Sequence, residues 1–291
     1  GSFGVILSLT VETENRFLLE AHTKRMRLTR ALRNAMNTLE FDGLALPRPG
    51  ERPYHFDVVI NPHDKDGKVL VTTMYKRRYG PYDPPVFDDD GVTLGDDILG
   101  FLSRVIDALP EVITDAAIPG LITRVLNDRY PEFSDEYGTL GEVFGATTTR
   151  GKIASTAIGI PAARATDALD IVLDLNERKG PFPGALGMRF VKGTAATLGF
   201  TRFPKTCVLE IDGINGKNAR EFYKEVWKAF DASDIEYTQH WGKMHDLTRT
   251  RVRRMYGDER VDAWIRAREK LLRPATREVF TSPLLRRAGL A

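Results

Sequence analysis

Side chains able to carry protons, grip hydroxyls or balance charge gather in the second half of this sequence. Arg189 interrupts the apolar run 185–191, Glu210 and Asp212 stand two apart at the end of the run 206–212, and His240 and Lys243 bracket Trp241 and Gly242. A guanidinium offers a planar fork of donors, carboxylates take up and return protons, and a fixed ammonium stabilises charge that develops beside it. If the two runs are strands, side chains two apart share a face. Gly187, Arg189 and Val191 then point one way, as do Val208, Glu210 and Asp212. Two readings of the carboxylates stand at this level: they share a cavity with Arg189, or they line the wet side of a strand.

Other chemistry finds no support in the spacing. Gly145 and Gly151 of the stretch 145–152 are separated by five residues where a phosphate loop has four, and Ile153 stands where the magnesium-binding Ser or Thr belongs. The five histidines, His22, His55, His63, His240 and His245, never show the helical zinc spacing with an intervening Glu, so no metal site is expected. No Gly-x-Ser-x-Gly elbow surrounds a serine, and the single cysteine, Cys207, lies in an apolar run where a thiol acts as a small hydrophobe. One cysteine also excludes an internal disulfide and favours a reducing, cytoplasmic setting. The basic stretches 24–33 and 249–254 lack interleaved aromatics, and 42 Lys+Arg against 40 Asp+Glu leaves a net charge of +2, so nucleic acid is not an expected partner. No run reaches the roughly 18 apolar residues of a membrane span, and no signal peptide opens the sequence.

These residues need a framework, and 291 residues with 42% hydrophobic side chains can build a substantial core. Strands are expected at 1–12, 16–28, 56–60, 69–74, 153–160, 185–191 and 206–211, with 56–60 and 69–74 joined as a hairpin through the polar turn 64–67. Helices are expected at 29–39 behind a Thr29 cap, at 162–176, 219–230 and 261–272, and within 98–125 with breaks at Pro110 and Pro119. The stretch 80–91, with Asp88, Asp89 and Asp90, reads as a solvated loop. Irregular alternation with hairpins indicates an α+β fold, a mixed and mainly antiparallel sheet covered by helices.

Four segments in a fixed order resemble the FAD-linked oxidases of the vanillyl-alcohol oxidase superfamily, and within it the aldonolactone and alditol oxidase branch. Residues 1–12 are similar to the last strand of that family's flavin domain. Gly187-Met188-Arg189-Phe190, followed by Phe200-Thr201-Arg202 and the run 206–212, resembles its Glu-x-Arg strand and the strand after it; Tyr237-Thr238-Gln239-His240-Trp241-Gly242-Lys243 resembles its His-Trp-Gly-Lys signature; and 280–285 with Gly289-Leu290 resembles its C-terminal ending.

The resemblance implies a last strand of the FAD-binding domain at 1–12, a substrate-binding cap at 13–232 and a return to the FAD-binding domain at 233–291. FAD would be held mostly by an N-terminal segment or chain that is not part of this sequence, and the partners implied are a small alcohol and dioxygen or another electron acceptor. Arg189 would face the flavin ring and hold a substrate hydroxyl. Where relatives carry a glutamate, position 187 is Gly, so Glu210 or Asp212 is expected to pair with Arg189 and take up acid–base work. Lys243 would sit near the N1–C2=O edge of the ring, with Gly242 allowing close approach, Trp241 packing behind and His240 as a hydrogen-bonded structural group. The substrate implied is a sugar-like alcohol or aldonolactone, with a bulkier alcohol as the alternative because Gly187 widens the pocket. A third reading is a cap whose catalytic pattern has decayed and which serves as a binding or assembly module.

Overall fold

The computed structural model describes residues 1–84, 115–130, 132–144 and 153–291. Eight strands form one sheet: β1 (Phe17–Arg27), β2 (His55–Ile60), β3 (Lys68–Arg78), β4 (Phe133–Gly138), β5 (Ile153–Pro161), β6 (Gly184–Lys192), β7 (Lys205–Ile214) and β8 (Thr238–Gln239). Their spatial order is β4-β1-β3-β2-β6-β7-β5-β8, and every neighbouring pair is antiparallel. The architecture is α+β.

One face of the sheet is apolar because alternate residues are. Val58 and Ile60 of β2, Leu186 and Met188 of β6, Leu209 and Ile211 of β7, and Ile158 and Ile160 of β5 are all buried. Onto them pack α1 (Arg30–Thr38), α4 (Ala165–Lys179) and α5 (Lys217–Ala232) through residues such as Leu32, Met36, Leu169, Val172, Phe222, Tyr223 and Trp227. Helix α1 starts where Thr29 caps it, its hydroxyl accepting from the Leu32 N–H. The opposite face is covered in part, among the described residues, by one further helix. There α2 (Ile118–Arg129) lays Ile118, Ile122, Val125 and Leu126 over Val59, Leu70 and Ala185. Pro119 opens this helix rather than breaking one, since a missing N–H is tolerated in a first turn. Beside β4 lies the short α3 (Leu140–Val143).

The strand expected at 1–12 is not formed. Val5, Ile6, Leu7, Leu9 and Val11 are each more than 70% exposed, and no neighbouring strand among the described residues supplies a ladder for their backbone. High β propensity without a pairing partner does not make a strand. Phe3 is nevertheless anchored, edge-on to Trp264 at 4.9 Å. The acidic run at 88–90, the helical stretch before Asp115 with Pro110, and all of 145–152 lie outside the described residues.

The C-terminal portion continues through α6 (Arg249–Tyr256), α7 (Asp258–Leu271), α8 (Pro274–Val279) and α9 (Pro283–Arg287). Arg268 of α7, 1% exposed, gathers the two ends of the chain: its guanidinium donates to the carbonyls of Ser2, Arg277 and Phe280 and to the Thr281 hydroxyl. Cys207 is fully buried in β7, and burial pushes its thiol far above the usual range, so it behaves as a core hydrophobe.

Candidate active site

The face of the sheet opposite α1, α4 and α5 carries a row of charge whose members come from neighbouring strands. Register places Asp57 of β2 opposite Arg189 of β6, Gly187 of β6 opposite Glu210 of β7, and Asp212 of β7 opposite Ser155 of β5. Residues opposite one another on antiparallel strands share a face. Arg189, Glu210 and Asp212 therefore project from one surface of the sheet.

Glu210 is the centre of the row. Its Oε2 lies 3.1 Å from Arg189 Nη1 and its Oε1 accepts from Lys243 Nζ at 2.7 Å, so one carboxylate bridges two cations contributed from separate elements. Gly187, directly across from Glu210, is buried and carries no side chain. The carboxylate expected beside the guanidinium thus comes from the adjacent strand. Asp212, fully buried, accepts from the Ser155 hydroxyl and lies 3.8 Å from Lys243 Nζ. Its complete burial places it behind Ser155 and Lys243 among the described residues.

Lys243 reaches this cluster because its turn is bolted to β5. The His240 N–H donates to the Ala157 carbonyl, the Met244 N–H to the Ser155 carbonyl, and the Thr156 hydroxyl to the Met244 carbonyl. Gln239 and Asp246 close the base of the turn with reciprocal hydrogen bonds of 2.8 and 3.2 Å. Trp241 donates to the Leu198 carbonyl and stacks on Tyr256 at 6.1 Å, while His240 Nδ1 accepts from the Gly242 N–H at 3.0 Å and its ring meets Phe200 edge-on. Burial, with help from Lys243 and against Glu210, lowers the His240 pKa, so the ring is a neutral acceptor at pH 7 and holds the turn. Gly159 lets β8 and Phe200 approach β5: a Cβ there would lie 2.6 Å from Thr238 Oγ1 and 2.8 Å from the Phe200 carbonyl.

Burial alone would raise the Glu210 carboxyl. The charges of Arg189 and Lys243 outweigh it, with Asp57 opposing, and the net pKa falls below the ordinary 4.5. A depressed folded pKa contributes stability that is fully present above the ordinary value and lost as pH falls through the folded one. Thermal unfolding followed between pH 6 and pH 3 is therefore expected to show a steeper acid loss for the native chain than for Glu210→Gln.

Two residues of this face carry no signal that the periodicity argument used. His55 Nε2 lies 3.4 Å from Asp57 Oδ2, and the His55 ring meets Phe144 edge-on. The pattern His-Phe-Asp-Val-Val-Ile does hold a trace of them, two polar residues two apart at the head of an apolar strand. A further cluster, Glu20, His22 and Asp135, has donor atoms close enough together for a metal. Arg48 and Arg77 already bond the Glu20 carboxylate, so that cluster reads as a structural charge network.

No family model matches this sequence, and neither does any curated protein. Several solved structures are similar in fold at low identity. A xylooligosaccharide oxidase from Myceliophthora thermophila C1, in complex with xylobiose, is 12% identical with a TM-score of 0.49, over 92% of this chain and 55% of its own. A carbohydrate oxidase from Microdochium nivale is 10% identical with a TM-score of 0.48, over 94% and 56%. A 6-hydroxy-D-nicotine oxidase from Arthrobacter nicotinovorans is 14% identical with a TM-score of 0.41, over 90% and 53%. The chain spans about half the length of each of them. None of these likenesses decides what this chain acts on.

The fit to a flavin rests on the chain's own groups. Lys243 and Arg189 are cations held at fixed positions by buried carboxylates, the donor set suited to the electron-accepting edge of an isoalloxazine and to a hydroxyl beside it. Gly242 keeps the outside of the turn open to a flat ring, since a Cβ there would meet only the His240 ring, at 3.3 and 3.6 Å. Among the described residues no helix is long and apolar enough to cross a membrane.

Proposed function

We propose that this chain supplies the substrate-facing sheet of an FAD-dependent oxidoreductase acting on the CH–OH group of a small alcohol. The observation that carries the reading is the bridge on one sheet face: one carboxylate, Glu210, holds Arg189 and Lys243 at 3.1 and 2.7 Å. Two cations fixed side by side, without reorganisation at the moment of reaction, suit a step in which negative charge develops on both a hydroxyl and its hydride acceptor.

In this reading Arg189, whose side chain is 30% exposed, binds the substrate hydroxyl through its planar donor fork and favours the developing alkoxide. Glu210 stands in for the carboxylate missing at Gly187 and keeps the guanidinium aimed. Lys243 would lie toward the electron-accepting edge of a bound flavin, with Asp212 and Ser155 holding the ammonium from below. The bound flavin supplies the hydride acceptor and is reoxidised by dioxygen or another acceptor. Residues 1–12 and 233–291 join a flavin-holding polypeptide, and the substrates to try are sugar-like alcohols and aldonolactones.

Co-expression with the polypeptide encoded immediately upstream tests this. The expected result is a yellow complex that retains FAD through desalting and is bleached anaerobically by a polyol or an aldonolactone. A complex that forms but stays colourless would favour the binding or assembly module instead.

A further inference from the structure

Abstraction of hydride from an alcohol carbon requires that the hydroxyl proton go to a base, and the bridge at Glu210 is a poor one. Glu210 is clamped between two cations and held below the ordinary carboxylate range. Asp212 lies fully buried beneath Lys243. His240 Nδ1 is engaged by the Gly242 N–H, and its turn faces the other end of the row.

Among the described residues a further proton-accepting group lies at the Arg189 end. Asp57 is directly opposite Arg189 in the β2–β6 ladder, and its charge helps set the electrostatics of Glu210. His55, two residues along the same strand and hence on the same face, turns Nε2 toward Asp57 Oδ2 at 3.4 Å; its side chain is 21% exposed. Its Nδ1 makes no hydrogen bond among the described residues. A carboxylate on one ring nitrogen selects the tautomer with the proton there and leaves the other nitrogen to accept. Asp57 is kept ionised for this purpose: burial raises its carboxyl, but His55 and Arg189 outweigh burial and lower it. The Phe144 ring, 5.1 Å away, limits rotation of the imidazole.

We propose that His55 is the catalytic base of this face, with Asp57 its positioning residue. The proposal rests on the oxidoreductase reading above. The substrate O–H bond would break with its proton passing to His55 Nδ1, while the carbinol hydrogen would leave with its electron pair to the two-electron acceptor that a bound flavin would supply, so that the alcohol becomes a carbonyl.

The test compares the native FAD-loaded complex with His55→Ala and Asp57→Asn. Anaerobic stopped-flow reduction by the best alcohol should slow on the order of 100-fold or more in His55→Ala, with the alcohol's Kd little changed, and added imidazole should restore much of the rate. Asp57→Asn should slow reduction less and should shift the His55 tautomer, read from its ring 15N resonances in the chain without flavin, away from Nε2–H. If native complex is bleached by alcohols but His55→Ala reduces at the native rate, or imidazole rescues nothing, this assignment fails and the oxidoreductase reading survives. If no alcohol bleaches the native complex, the oxidoreductase reading fails and takes this one with it. Unaltered ring resonances in Asp57→Asn would show that the two side chains are not coupled, which also overturns the proposal.

Discussion

A Lys243→Met variant is expected to reduce its flavin with alcohol about 100- to 1,000-fold more slowly than the native complex, the cost typical of removing one preorganised group from the site of developing charge. Methionine keeps most of the apolar stem and removes the ammonium with its charge and its hydrogen bond to Glu210. The loss has a second effect inside the cluster, because Glu210 then faces Arg189 alone and buried Asp212 loses its neighbouring ammonium at 3.8 Å. Thermal unfolding of the variant separates the two effects, and Lys243→Arg, which restores the charge, should recover part of the rate. Anaerobic stopped-flow reduction is the measurement; a rate within twofold of native would remove Lys243 from the mechanism.

An Arg268→Ala variant is expected to lose about 4 kcal/mol of stability. Four acceptors, the carbonyls of Ser2, Arg277 and Phe280 and the Thr281 hydroxyl, lose a charged donor in a site that is 1% exposed, at roughly 1 kcal/mol or more each. For a chain of this size that corresponds to a fall in Tm on the order of 10 °C. Arg268 also determines where the first residues run, because it is what holds the Ser2 carbonyl beside α7 and the C-terminal turns. Differential scanning calorimetry of the native chain and the variant checks this, and a shift under about 2 °C would mean that the ends are held by other contacts. Proteolysis near residue 5 should accelerate in the variant, since the Phe3–Trp264 contact would then lose its neighbouring anchor at Ser2.

Much of this organisation was legible in the sequence because burial imposes a period. β2 with β3, and β5, β6 and β7, each place apolar side chains on the helix-covered face at alternate positions, and Thr29 announces α1 through its capping hydroxyl. The same alternation put Arg189 and Glu210 on faces that the ladder then brought together. Where the reading went astray, long-range pairing had overruled local preference. Residues 1–12 have strand composition but no partner, whereas β4, with the polar sequence Phe-Ser-Asp-Glu-Tyr-Gly, is a strand only because β1 pairs with it. β8 is two residues long and exists because Gly159 lets it close on β5. Asp57 escaped notice because its significance lies in facing Arg189 across a ladder, which spacing along one strand does not reveal, and His55 because it matters only through Asp57.

The account turns on where the Lys243 ammonium lies once flavin is bound. A crystal structure of the FAD-loaded complex measures that distance directly. The expected result is Lys243 Nζ within about 3 Å of the N1–C2=O edge, with the Arg189 guanidinium on the same side of the ring; Lys243 turned away from the isoalloxazine, or Arg189 on a face that no flavin approaches, would contradict it.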